Sequence, residues 1–170
     1  MNTRTRYAKR AGFCYNYRMN YWLFKSEPNC YSIDDLKRDK VEHWDGTRNY
    51  QVRNMMRDEI KKGDKVLFYH SNAGKETGVV GVATVVKEGY PDHTAMDPKS
   101  DHPDPKHTPD NPIWYMVDVQ FKSKFANPVL LSTIKETKSL DGNRLTQKGN
   151  RLSVFPMDKK HFDTIVKMGQ

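Results

Sequence analysis

Apolar residues fall in short runs separated by turn residues, and the runs differ in period. Tyr21-Trp22-Leu23-Phe24 reads as a compact aromatic strand, stopped at Lys25-Ser26-Glu27-Pro28 because proline cannot donate to a ladder. Ser32 and Asp35 have the spacing of a capping box, so Ser32 to Leu36 reads as the start of a helix. Val52, Met55, Met56 and Ile60 recur at three- and four-residue spacing, which predicts a helix over Asn49 to Ile60 with Gly63 just past its end. Asp64 to His70 reads as a strand entered through a Gly-Asp turn. Gly78 to Val86 is the most β-like stretch, its glycines suiting a bend or bulge.

Tyr90 to Pro112 is crowded with proline, aspartate and histidine, and no regular element is expected there. Trp114 to Phe121 alternates as a strand, Pro128 to Ile134 turns into a short helix, Gly149 to Pro156 is a late strand, and Lys159 to Lys167 is a terminal helix. Strands interspersed with short helices, without βαβ spacing, predict an α+β fold around a mixed or antiparallel barrel-like sheet.

Composition narrows the class. The 170 residues are 36% hydrophobic, 11% aromatic and 29% charged. That is too aromatic for a disordered chain, and no run approaches the roughly 18 apolar residues of a spanning helix. Two cysteines, Cys14 and Cys30, match neither a disulfide scaffold nor a CxxC metal site, which favours a reducing compartment. The net charge of +8 suggests nucleic acid, but Arg4, Arg6, Lys9, Arg10 and Arg18 carry +5 of it. Residues 19–170 hold 24 basic and 21 acidic groups, too even for a protein tracking a polyanion along a broad face. A nucleic-acid partner is therefore expected to be held locally. Segment 1–18 has no apolar stretch for a signal peptide and is read as a disordered basic arm or an upstream-start artefact, with 19–170 as a single domain.

Several long strings then carry a resemblance. Tyr21-Trp22-Leu23-Phe24-Lys25-Ser26-Glu27-Pro28, Trp44-Asp45-Gly46-Thr47-Arg48-Asn49-Tyr50-Gln51-Val52-Arg53-Asn54-Met55-Met56, Val66-Leu67-Phe68-Tyr69-His70-Ser71-Asn72, Tyr90-Pro91-Asp92, Trp114 and Arg151-Leu152-Ser153-Val154 succeed one another in order. In this the chain resembles the EVE domain, the thymocyte nuclear protein family of the PUA-like superfamily. The one departure is Thr47, where a small aliphatic residue is expected. The resemblance implies an open β-pseudobarrel of five or six mixed strands with short flanking helices. It also implies binding of a modified base in DNA or RNA. No cofactor, metal or membrane is expected, and the protein is expected to be a monomer, cytoplasmic in a bacterium, the favoured case, or nuclear in a eukaryote. Matched to the related YTH readers, Lys25-Ser26, Trp44 and Trp114 take the places of a strand-closing pair and two cage tryptophans. Glu27 stands where those readers place an amide.

The chemistry of these residue types agrees. Two indoles can sandwich a flipped base, and stacking worth about 1–3 kcal/mol offsets the few kcal/mol of extrusion. Glu27 or Asp45 can accept from an exocyclic amine, Asn49, Ser71 and Asn72 beside His70 offer donors and acceptors, and Arg48 or Arg151 can hold a flanking phosphate. Simpler roles stand beside these. Trp22 and Phe24 suit the core, Trp44 suits either pocket or packing, Trp114 suits pocket or a plug at the barrel end, and Arg53 and Arg57 suit a solvated helix face. His70-Ser71 cannot pair as base and nucleophile, because strand neighbours point to opposite faces. The histidines and aspartates of the proline-rich loop have no metal-site spacing. The alternative from another class is an ASCH-like amidohydrolase acting on an acylated nucleoside through Lys25, Ser26 and Glu27, which needs a desolvated lysine.

Overall fold

The structure is a computed structural model and describes residues 19–170; the basic segment 1–18 lies outside the described residues. Six strands form one mixed sheet in the order β2-β5-β4-β3-β1-β6. They are β1 (Tyr21–Ser26), β2 (Val41–Trp44), β3 (Lys65–His70), β4 (Gly78–Pro91), β5 (Tyr115–Leu130) and β6 (Val154–Pro156). β1 runs parallel to β3, whereas every other neighbouring pair is antiparallel. β2 and β6 are the two edges, so the sheet curls without closing. Four short helices flank it: α1 (Ile33–Asp39), α2 (Tyr50–Asn54), α3 (Leu131–Glu136) and α4 (Lys159–Gly169).

Both faces of the sheet are buried, which explains why β1 reads as a continuous apolar run rather than an alternating one. Trp22 and Phe24 point into one core with Val66, Phe68, Val117 and the apolar sides of α1 and α2. Leu23 points into the other with Leu67, Phe155 and the helix residues Ile134, Phe162 and Ile165. The capping box predicted at Ser32 and Asp35 is present, each side chain bonding the other residue's backbone N–H. The helix predicted from Asn49 onward is shorter than its apolar period suggests. After Asn54 the chain widens into a π turn over Met55–Glu59, closed by the Ile60 N–H on the Met55 carbonyl. Met55, Met56 and Ile60 still reach the core, so the period reads burial correctly while misreading the turn.

Other boundaries shift for tertiary reasons. β4 and β5 run well beyond the predicted strands because they pair along almost their whole length, with register shifts that include one between Val79 and Gly81. A side chain at Gly81 would put its Cβ 2.4 Å from the Ser123 carbonyl, so glycine there permits the close approach. β2 was not foreseen; it is short, and pairing with β5 rather than its own pattern makes it a strand. The late strand shrinks to Val154–Pro156. Within the proline-rich segment, a single 3₁₀ turn forms at His93–Met96.

Candidate nucleic-acid interface

A cleft of about 670 Å³ opens where the C-terminal ends of β1 and β2 meet the loop 45–49 and the proline-rich segment. Its aromatic wall is Trp44, the last residue of β2, whose ring lies 5.1 Å from that of Phe24 and 5.4 Å, edge-on, from that of Phe68. Only 9% of Trp44 is exposed, so the core clamps the indole and part of its surface faces the cleft. Tyr31 and Cys30 also line it; the rest is mostly polar and carries both signs of charge, with Glu42, His43, Asp45, Arg48, Asp101 and His102 among it. Its size falls within the range of small-ligand pockets, large enough for one nucleobase with its sugar.

The rim is held by a buried ion pair. Asp92 is fully buried and accepts from Arg48 Nη1 at 2.7 Å, from the Gly46 N–H at 3.2 Å, and from the Thr94 N–H and hydroxyl. Burial alone would raise the pKa of this carboxyl, but the Thr94 and Arg48 hydrogen bonds outweigh it and hold the group below its ordinary value. Arg48 also donates from Nε and Nη2 to the His102 carbonyl, which ties the proline-rich segment to the cleft wall. Gly46 has φ +70° and sits under His102, where an added Cβ would come within 2.8 Å of the imidazole.

Some expected residues converge on this cleft. Trp44, Lys25, Ser26, Asp45, Asn49 and Arg48 all line it. Their groups are partly committed. The Ser26 hydroxyl donates to the Tyr31 carbonyl at 2.7 Å. Asn49 Oδ1 caps α2 through the Gln51 and Val52 N–H groups, which leaves its NH₂ as the group to offer a ligand. Ser100, also in the lining, has its hydroxyl out of water with no partner among the described residues, a group that a bound molecule or water would satisfy.

Others are not brought there. Trp114 is buried at 5% exposure outside the cleft lining, its Nε1 donating to Asp104 at 2.6 Å and its ring beside Tyr50. The expected sandwich of two indoles is therefore absent: the proline-rich segment wraps over Trp114 and fastens it. Glu27 Oε1 accepts from Asn72 at 2.6 Å in a pair outside the lining, and Ser71 is also outside it. His70 Nε2 accepts from the Ile33 N–H at 3.1 Å, which spends this imidazole on anchoring α1. Burial lowers its pKa, keeping it a neutral acceptor. Arg151 is exposed and outside the lining, although Ser153 two residues on is part of it. Tyr31, Glu42, His43, Thr94, Asp101 and His102 line the cleft without having been expected to bind a ligand: Glu42 and His43 come with the unpredicted strand β2, and the others through the packing of loops.

The geometry also bears on an amidohydrolase. Burial does lower the Lys25 pKa. Its Nζ, however, lies 5.3 Å from the ring centre of Phe155, a residue of the core opposite Phe24. Lys25 and Ser26 both line the cleft, but the Glu27 carboxylate pairs with Asn72 outside it, so the three groups are not gathered in one lining. Among the described residues no cluster of three His, Cys, Asp or Glu side chains is placed to hold a metal ion, and no helix is long and apolar enough to cross a membrane.

The unclosed mixed sheet with four short flanking helices and a cleft at its strand ends has the architecture of a PUA-like domain. The chain belongs to the EVE domain family, whose model matches residues 20–168. It is 40% identical over 166 residues to thymocyte nuclear protein 1 of Gallus gallus, covering 87% of this chain and 68% of that one. A solved Leishmania major protein superposes with a TM-score of 0.84 at 45% identity, covering 89% of this chain and 95% of that one. Human THYN1 in complex with 5-methylcytosine-containing DNA superposes with a TM-score of 0.81 at 37% identity, covering 89% and 98%. An ASCH protein of Zymomonas mobilis, at 12% identity and a TM-score of 0.52, shares the fold alone.

Proposed function

We propose that this protein is a non-catalytic reader of a modified nucleobase in DNA, taking one flipped base into the cleft against Trp44. The carrying observation is an indole fixed by Phe24 and Phe68 at a polar-rimmed cleft in a chain similar to a protein solved with 5-methylcytosine DNA. Stacking supplies affinity without choosing the base. Asp45 is the acceptor for an exocyclic amine such as cytosine N4, and the NH₂ of Asn49 is a donor to a ring nitrogen or carbonyl. A methyl on the base adds about 0.8 kcal/mol of burial, roughly fourfold in affinity, if the cleft closes around it. The names of the curated relatives agree with a nuclear location for this chain.

Fluorescence anisotropy with a duplex carrying one 5-methylcytosine, against the same duplex with cytosine, tests the reading. Tighter binding of the methylated duplex by about fourfold or more is expected, with both affinities weakened in Trp44→Phe. Equal affinity across a panel of modified and unmodified cytosines overturns it. Turnover of an acylated cytidine, lost in Lys25→Ala, overturns the non-catalytic part.

A further inference from the structure

Tyr50, an exposed aromatic residue next in sequence to the cleft lining, plays no part in that reading. Tyr50 opens α2 directly after Arg48 and Asn49, both of which line the cleft. It is 61% exposed, whereas the large apolar side chains of the described residues are mostly buried; the other exposed ones, Met19, Val41 and Met96, are aliphatic. Its ring is held in place rather than loose. It packs on Trp114 with centroids 5.0 Å apart at 32°, and the Arg53 guanidinium carbon lies over the ring, 5.0 Å from its centre; the 61% exposure is the part of the ring that these two neighbours leave open. Trp114 is in turn fastened by Asp104 and lies beneath Arg48, 5.5 Å from its ring centre. Arg53 is tied to the Ile113 carbonyl at 2.9 Å.

From this layering we infer that Tyr50 is an external stacking platform for a nucleobase next to the one in the cleft, with Arg53 beside it for the intervening phosphate. The inference rests on the reading of the cleft as a base-binding site. Three physical points support it. Covering the exposed part of the ring would gain hydrophobic burial, and a flat π-face suits any base. The arginine beside it adds cation–π attraction and a charge for the backbone. Because Trp114 and Arg53 already restrain the ring, little further order has to be imposed on binding. The buried Trp114 acquires a role here that the cleft does not give it: it is the foundation under Tyr50.

The platform has no way to sense a base modification, so its signature differs from that of the cleft. Duplexes with cytosine or 5-methylcytosine at one position are titrated against wild type, Tyr50→Ala and Tyr50→Phe, together with duplexes in which the nucleotide on either side of that position is abasic. Tyr50→Ala is expected to weaken both intact duplexes by the same factor, about tenfold, leaving their ratio unchanged, while Tyr50→Phe stays near wild type. On one of the two abasic duplexes the Tyr50→Ala penalty is expected to vanish, which identifies the stacked neighbour. Unchanged binding by Tyr50→Ala, or a penalty equal on all duplexes, overturns the platform. If wild type discriminates the methylated duplex while Tyr50→Ala is silent, the reader stands and the platform falls. If wild type shows no discrimination but loses affinity through Tyr50 on the flanking base, the platform stands and the reader falls. A thermal melt of Tyr50→Ala close to wild type separates lost contact from lost fold.

Discussion

Replacing Arg48 by alanine discriminates between two roles for one residue, a clamp on the loops and a ligand for phosphate. Its partner carboxylate, on Asp92, is 0% exposed and the Arg48 side chain 20%. Removing one member of a buried pair leaves an uncompensated charge and costs about 3–5 kcal/mol; the partial exposure of Arg48 places the loss near about 3 kcal/mol. For a domain of this size that lowers the melting temperature by about 6–12 °C at neutral pH. The pH dependence follows from the sign of the Asp92 shift. Its folded pKa lies below the ordinary 3.8, so its contribution to stability is present above 3.8 and is lost as the pH falls through the folded value. Without Arg48, burial dominates and the carboxyl prefers its proton. Melting curves of wild type and Arg48→Ala should therefore lie far apart at neutral pH and converge in acid. Adding Asp92→Asn to Arg48→Ala should recover part of the loss, because an unpaired amide is cheaper to bury than a carboxylate. An Arg48→Ala protein that melts within about 2 °C of wild type at neutral pH yet no longer binds DNA refutes the clamp and restores the phosphate role.

Two further outcomes are expected. His107 Nδ1 accepts from the Ile113 and Trp114 N–H groups, His70 Nε2 accepts from the Ile33 N–H, and burial lowers both pKa values below 6.5. The neutral forms therefore contribute fully above 6.5 and are lost as the pH falls through the folded values, so the melting temperature should drop as the pH is lowered below 6.5; a melting temperature that stays flat on acidification refutes the assignment. Gly89→Ala would place a Cβ 2.2 Å from the Met56 carbonyl, between β4 and the π turn, and should destabilise by about 1–3 kcal/mol in urea unfolding, whereas a wild-type midpoint shows that the two segments separate easily.

Patterns confined to a few neighbouring residues were legible in advance. The Ser32–Asp35 cap, the apolar face of Val52, Met55, Met56 and Ile60, and the all-apolar β1 follow from side chains three or four positions apart, or from uninterrupted burial, and the structure keeps them. Trp44 at the cleft was legible too, from the strings that mark the family. Its neighbour in the expected cage was not. No local period announces that Asp104 and His107 will fasten Trp114, or that Asp92 will claim Arg48.

By itself, the amino-acid sequence determined the α+β class, the family, most of the core and the presence of an aromatic wall, because each depends on short-range pattern or on burial that any compact arrangement would satisfy. Tertiary structure alone decided which other polar groups join Lys25, Ser26, Asp45, Arg48 and Asn49 at the cleft, and which expected ones are kept from it. Arg48 and Asp92 are 44 positions apart, and Arg48 and His102 are 54 apart. Their meeting depends on where an irregular, proline-rich segment lands on a curled sheet, a placement set by long-range packing that no local spacing encodes.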